Sequence, residues 1–364
     1  MPDHTSAAGS KRLGRRAFLQ AGLAAPFAGA SISRRFSQAN VRTFDIQVEL
    51  DIAGPRGEVR AWLPLPLDRA TAYQRLIAQR WTASTQELRR HADENQAPML
   101  VASWPESASS RTLTLTARVE TTPYHVTLEP NGGSAESTRA LARYLAPTTL
   151  IPTNGIVRST ALEIVKGHST PLAQARAIYE WIVDNTFRDP AVKGCGLGDI
   201  RWMLESRSFG GKCADLNALF VGLCRSAGLP ARDLYGLRVG ESRSFKSLGR
   251  SGDITASQHC RAEVYVAGIG WIPVDPADVR KVALEEEPGA PVTSTHVRRA
   301  RADMFGSWEM NWIAFNDAHD VVLPGSTGKP LPFLMYPHAE VAGVRKDSLE
   351  PAAFTYRITA KEVV

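Results

Sequence analysis

Apolar and polar residues alternate with a period of two along the first third of the chain. Phe44, Ile46, Val48, Leu50 and Ile52 fall on one side, and Leu113, Leu115, Ala117 and Val119 repeat the pattern. Successive side chains of an extended strand point to opposite faces, so these runs predict half-buried strands. They predict a small antiparallel β-sandwich over residues 40–130. Trp62-Leu63-Pro64-Leu65-Pro66 reads as a strand leaving a sheet edge, because proline has no N–H for a ladder. Asn131-Gly132-Gly133-Ser134 is a linker signal.

After this linker the period lengthens. Helices are expected at about 136–146, 155–166 and 172–186. The last has Ser169 or Thr170 as its cap and Pro171 in its first turn, ahead of a stripe of Leu172, Ala175, Ile178, Tyr179 and Ile182. Gly210-Gly211 breaks the chain, and Leu216, Leu219, Phe220, Leu223 and Ala227 then form another helical stripe that Gly228 and Pro230 end. Ala262-Glu263-Val264-Tyr265-Val266 and Trp271-Ile272-Pro273-Val274 read as a hairpin turning at Gly268-Ile269-Gly270. The expectation is an α+β fold, with helices packed on an antiparallel sheet over residues 131–290. Residues 291–364 read as a C-terminal extension packing on that core. Its aromatics, Trp308, Trp312, Phe315, Phe333, Tyr336, Phe354 and Tyr356, read first as core; the functional alternative has Trp308 or Trp312 lining a groove. Asn316, Asp317, His319 and Asp320 read as a polar loop, not a second site.

Three residues in these elements carry chemistry. Cys213 follows Gly210-Gly211-Lys212 and falls at a helix N-terminus, where free N–H groups and the positive end of the dipole favour a thiolate. Those N–H groups could also hold an oxyanion. His259 lies 46 residues on, before the first hairpin strand, and Asp275 lies 16 residues after it, behind the second. Residues near the two outer ends of a hairpin can face the same way, which would set the carboxylate beside the imidazole. A thiolate needs a base to take its proton, and the base needs a carboxylate to orient it. Glu263 is the competing carboxylate. Four residues along a strand from His259, it would sit roughly 13 Å away, out of hydrogen-bond reach.

These segments resemble the transglutaminase-like core, a family of papain-related thiol enzymes. The resemblance rests on the Gly-x-Cys-x-Asp helix start at Gly211, Cys213 and Asp215, and on the run from Leu219 through Gly228-Leu229-Pro230-Ala231-Arg232. It rests also on the His259 to Glu263 strand and on Gly270-Trp271-Ile272-Pro273-Val274-Asp275-Pro276. It spans roughly residues 170–280. It implies Cys213 as nucleophile, His259 as base and Asp275 as the orienting carboxylate. Arg261 departs from the pattern, which often has an aromatic two residues after the histidine. The family includes cross-linkers, peptidases, amidases and silent binding domains, so the resemblance implies thiol acyl chemistry more than it implies a substrate.

The N-terminus changes how the charge is read. Lys11-Arg12-Leu13-Gly14-Arg15-Arg16-Ala17-Phe18-Leu19, followed by an Ala- and Gly-rich apolar run, resembles a twin-arginine export signal. Cleavage after Ala30 or Ala39 fits equally well. The whole chain is formally +6. Residues 1–39 hold six of the 43 basic residues and one of the 37 acidic ones, so the remainder stands at 37 against 36, a net +1. Nothing there points to nucleic acid. No later run reaches the roughly 18 apolar residues a membrane span needs. No Cys-x-x-Cys or His-x-x-x-His spacing suggests a metal, and no cofactor is expected. With Cys213 free, Cys195, Cys224 and Cys260 allow at most one internal disulfide, and Cys224 reads as a buried thiol.

The sequence thus predicts an exported enzyme, periplasmic or secreted, that acts on protein or peptide amides through Cys213, His259 and Asp275. It does not distinguish water from an amine as acyl acceptor, so peptidase, amidase and cross-linker stay open. The alternative from another class is a catalytically silent peptide-binding or envelope-assembly scaffold.

Overall fold

The computed structural model describes residues 41–52, 57–69, 71–91, 97–130, 135–352 and 354–363. The expected export segment and the 131–134 linker lie outside the described residues.

The alternating runs form two five-stranded antiparallel sheets. One is ordered Gly252–Asp253, Thr355–Val363, Arg42–Asp51, Thr112–Thr121, Gln74–Ala83. The other is ordered Val344–Arg345, His338–Val341, Val59–Pro64, Met99–Trp104, Leu88–His91. Phe44, Ile46, Val48 and Leu50 of the first pack in one core with Leu63, Leu100 and Trp104 of the second, so the period-two pattern is satisfied by a sandwich. Val59–Pro64 is an interior strand, flanked by His338–Val341 and Met99–Trp104, rather than an edge. The ladder tolerates Pro64 because it is the last residue of the strand.

Residues 291–364 are shared between the two parts of the fold. Trp312–Asn316 pairs with Ala231–Arg238 in a third, four-stranded sheet. His338–Val341 and Thr355–Val363 pair with Val59–Pro64 and Arg42–Asp51, closing both sheets of the sandwich. The sandwich is therefore built from both ends of the chain. Leu237, Val239, Ile313 and Phe315 join its core, which ties it to the four-stranded sheet.

This third sheet is antiparallel, ordered Gly270–Val274, Gln258–Val266, Ala231–Arg238, Trp312–Asn316. Two of its strands approach closely at Gly236, where a Cβ would collide with the Ile313 carbonyl and the Trp312 ring. The helix Cys213–Ser226 packs across the sheet, and all fourteen of its residues are buried. Its polar-looking side has no solvent to face, because Gly155–Ile164, Pro171–Asn185 and Pro276–Glu285 surround it. Pro171–Asn185 starts as its sequence predicts, with Thr170 Oγ1 accepting from the Ala173 N–H and Pro171 in the first turn.

Candidate active site

The start of the Cys213 helix is pinned by one carboxylate. Asp215 accepts hydrogen bonds from the N–H groups of Lys212 (2.9 Å), Leu197 (3.0 Å) and Gly198 (2.9 Å). Gly196, at φ +89°, lets this loop close on the carboxylate, which any Cβ there would strike. The Ala214 N–H donates to the Cys195 carbonyl at 2.9 Å. Cys213 is thereby held at the first helical position, at the base of a cleft of about 850 Å³ that His259 also lines.

The hairpin supplies the other two residues. His259 is the second residue of the strand Gln258–Val266 and Asp275 follows the strand Gly270–Val274, and because Ala262 pairs with Val274 both stand at the same end of the hairpin. His259 Nε2 sits 2.8 Å from Asp275 Oδ2, and both residues are buried. Cys213 and His259 line the same cleft, and the imidazole is one of the groups that lower the Cys213 thiol. The structure thus brings together all three residues that the sequence singled out.

It also brings in groups that sequence reasoning passed over. Asp278 Oδ2 lies 3.3 Å from the same Nε2, and its Oδ1 accepts from Arg238 Nη2 at 2.5 Å. Asp275 Oδ1 caps the helix Pro276–Glu285 by accepting from the Asp278 N–H at 3.1 Å, and Asn217 Nδ2 approaches it at 3.4 Å. A carboxylate at an N-cap with another three residues later is a visible helix-start signal, but it does not say which one meets an imidazole. Arg261 sits behind the site, its Nε 3.6 Å from Asp275 Oδ2 and its guanidinium over the Trp308 and Trp312 rings. Those two indoles donate to the backbone carbonyls of Val274 (3.2 Å) and His259 (2.8 Å). They brace the hairpin from behind and do not line the Cys213 cleft. Glu263 lies in a buried pair with Arg232, whose Nε donates to it at 2.7 Å. In the polar loop, Asp317 accepts from Arg143 and Tyr144, and Asp320 from the Thr149 N–H.

Electrostatics separates the four cysteines, all of them free and buried. Hydrogen bonds from the Cys195 and Cys260 thiols and from His259 hold Cys213 well below an ordinary thiol, against the opposing effect of burial. Cys195 is pushed up by its hydrogen bond to Cys213 and by burial, Cys260 and Cys224 by burial first. Burial and Arg238 push the His259 imidazole down, but Asp278 and Asp275 outweigh them and leave it raised to about 9. The arrangement can therefore hold a thiolate–imidazolium pair at neutral pH. His259, Asp275 and Asp278 place ligand atoms within 4.8 Å of one another and could by geometry hold a cation. Their oxygens, however, already face the imidazole and Arg238.

The Transglutaminase-like superfamily profile matches residues 158–276, the stretch that carries Cys213, His259 and Asp275. An uncharacterised protein of Haemophilus influenzae is 33% identical over 345 residues, covering 88% of this chain and 90% of its own. Residues 158–276 are a transglutaminase-like superfamily domain. Its fold is α+β with a transglutaminase-like core. A Cytophaga hutchinsonii structure, provisionally assigned as a cysteine protease, superposes with a TM-score of 0.55 at 13% identity, covering 89% of this chain and 92% of that one. That likeness extends the shared fold beyond the core to the sandwich. The periplasmic domain of TgpA from Pseudomonas aeruginosa aligns at 16% identity and a TM-score of 0.37, covering 71% of this chain and 92% of its own. Among the described residues no helix is long and apolar enough to cross a membrane.

Proposed function

We propose that this transglutaminase-like protein is an exported thiol enzyme that cleaves or transfers the acyl group of protein or peptide amides. The observation that carries this reading is the His259 ring, held by two carboxylates and lining one cleft with a Cys213 thiol that it helps to lower. The Cys213 thiolate attacks the amide carbonyl carbon, and the developing oxyanion is held at the helix start, where the Cys213 N–H is the donor we assign. The His259 imidazolium gives its proton to the leaving nitrogen as the C–N bond breaks, leaving a thioester and a free amine. Water or a second amine then attacks the thioester, His259 takes the attacker's proton, and the thiolate returns. Asp275 holds the ring and stabilises its charge without taking the proton. The intact Cys213, His259 and Asp275 set weighs against a silent binding scaffold.

Alkylation of the folded protein by iodoacetamide, mapped by mass spectrometry across pH, tests this. Cys213 should be labelled with a mid-point well below the free-thiol value of about 8.5, while Cys195, Cys224 and Cys260 stay unlabelled. Turnover of an amide substrate should need His259 protonated, so it should fall as pH rises through about 9. A mid-point near 8.5, or preferential labelling of Cys224, would overturn the assignment.

Export is tested through Arg15 and Arg16. Replacing both with Lys should keep the protein in the cytoplasm, read by fractionation and immunoblotting. An unchanged periplasmic yield would exclude the twin-arginine route.

A further inference from the structure

The cleft above Cys213 carries an uneven charge. Its wall is assembled from separate pieces of chain: Phe187–Arg188, which pairs with Gly210–Gly211 just before the nucleophile, the segment 246–258, the helix Pro276–Glu285, and residues 348–351 and 354–356. Seven Lys and Arg side chains line it against two carboxylates, Glu285 and Glu286. Arg238 is buried and taken by Asp278. Arg188 (3.2 Å) and Lys281 (3.5 Å) share the single carboxylate of Glu285. Glu286 is engaged by the Ser247 N–H and by His296. Lys193 reaches outward to Asp347, which is not part of the wall. Lys212, Lys246 and Arg250 have no carboxylate at ion-pair distance among the described residues, and Lys246 and Arg250 stand exposed on the rim. Burial, and then Arg238, hold the Lys281 amine below its ordinary value, as a cation among cations should be.

This excess is local. The larger concavity of the protein, about 1120 Å³ across the first sandwich sheet, is lined by four cations and four carboxylates, including the Arg118–Asp45 (2.6 Å) and Arg357–Asp253 (3.2 Å) pairs. The chain beyond residue 39 is nearly neutral. Unpaired cations gathered around the one depressed thiol therefore do not reflect a generally basic surface. A cleft lined by one sign of charge focuses its field and concentrates ligands of the other sign.

We propose that this cleft selects acidic peptides, in which carboxylates flank the amide that Cys213 attacks. The inference rests on the thiol reading for one point only: the nucleophile requires a carbonyl bearing an amine, which a peptide offers and a nucleic acid backbone does not. The rim cations then distinguish among peptides, attracting Glu and Asp and repelling Lys and Arg.

The test uses the full chain with Cys213→Ala, so that binding is read without turnover. Three fluorescein-labelled dodecapeptides of Ala and Gly carry four interspersed Glu, four Gln or four Lys, and anisotropy gives their affinities. The Glu peptide should bind at least about tenfold more tightly than the Gln peptide, and the Lys peptide most weakly. The preference should shrink towards none in 1 M NaCl, where the screening length falls to about 3 Å. Adding Lys246→Glu and Arg250→Glu, with folding checked by the thermal midpoint, should remove or invert it. Equal binding of the Glu and Gln peptides, a preference insensitive to salt, or no binding by any of the three overturns the proposal. Iodoacetamide labelling of Cys213 in the parent protein reads the thiol chemistry independently, so this inference can fail while that reading stands.

Discussion

Cys213→Ala should abolish covalent acyl-enzyme formation, and Asp275→Asn should slow turnover by about 10²–10⁴-fold while leaving the fold intact. The first follows from the loss of the only depressed thiol among the four cysteines. The second follows from the two jobs of Asp275. Its Oδ1 caps the helix Pro276–Glu285, a task that asparagine performs about equally well. Its Oδ2 faces His259 Nε2 at 2.8 Å, where an amide can neither stabilise the imidazolium nor enforce the tautomer. Asp278 remains 3.3 Å from the same nitrogen and should keep the loss from being complete. Removing one of two anions disfavours the charged ring, so the alkaline limb of the rate profile should move below its position near pH 9. Steady-state kinetics across pH checks the rate and the shift together. Glu263→Gln is the control, because Glu263 pairs with Arg232 and not with His259. A fully active Asp275→Asn protein beside a dead but folded Glu263→Gln protein would show the triad to be wrongly assigned.

Asp278→Asn should act mainly on stability. Arg238 and Asp278 form a buried ion pair, with Arg238 also donating to the Leu248 carbonyl at 2.8 Å. Removing one member of such a pair leaves an uncompensated buried charge and costs on the order of 3–5 kcal/mol. Here the stranded guanidinium also acts on His259, whose proton it already disfavours. The imidazolium contributes stability that is fully present below its unfolded value of about 6.5 and is lost as pH rises through about 9. In the Asp278→Asn protein this alkaline loss should be smaller, because less of the raised value survives. Denaturant melts at several pH values measure both effects. An unchanged midpoint would mean that the pair is solvated. Adding Arg238→Gln should recover part of the loss, since a pair removed together leaves no orphaned charge.

Much of this protein was legible in local pattern. The period-two runs at Phe44–Ile52 and Leu113–Val119 became sandwich strands, and the stripe from Leu216 to Ala227 became the central helix. Both follow from repeats that a few residues suffice to reveal. The order of Cys213, His259 and Asp275, each at the end of an element, was likewise visible, because a hairpin brings its outer ends together by local geometry alone. What escaped were the contacts between elements far apart in the chain. Thr355–Val363 pairs with Arg42–Asp51 across some three hundred residues, and His338–Val341 inserts beside Val59–Pro64. Alternation states that a strand has a buried face but not which strand it will meet, so a sandwich closed by the C-terminus read as an extension of the core. The same holds at the site. Asp278, Arg238, Cys195 and Cys260 carry no spacing that marks them, yet they set the charge of His259 and Cys213 because packing places them within a few ångströms. Local sequence determined the elements and where Cys213, His259 and Asp275 stand at their ends. Tertiary structure decided the electrostatics around them, since Coulomb and hydrogen-bond energies depend on distance in space and on burial, and neither is a property of position along the chain.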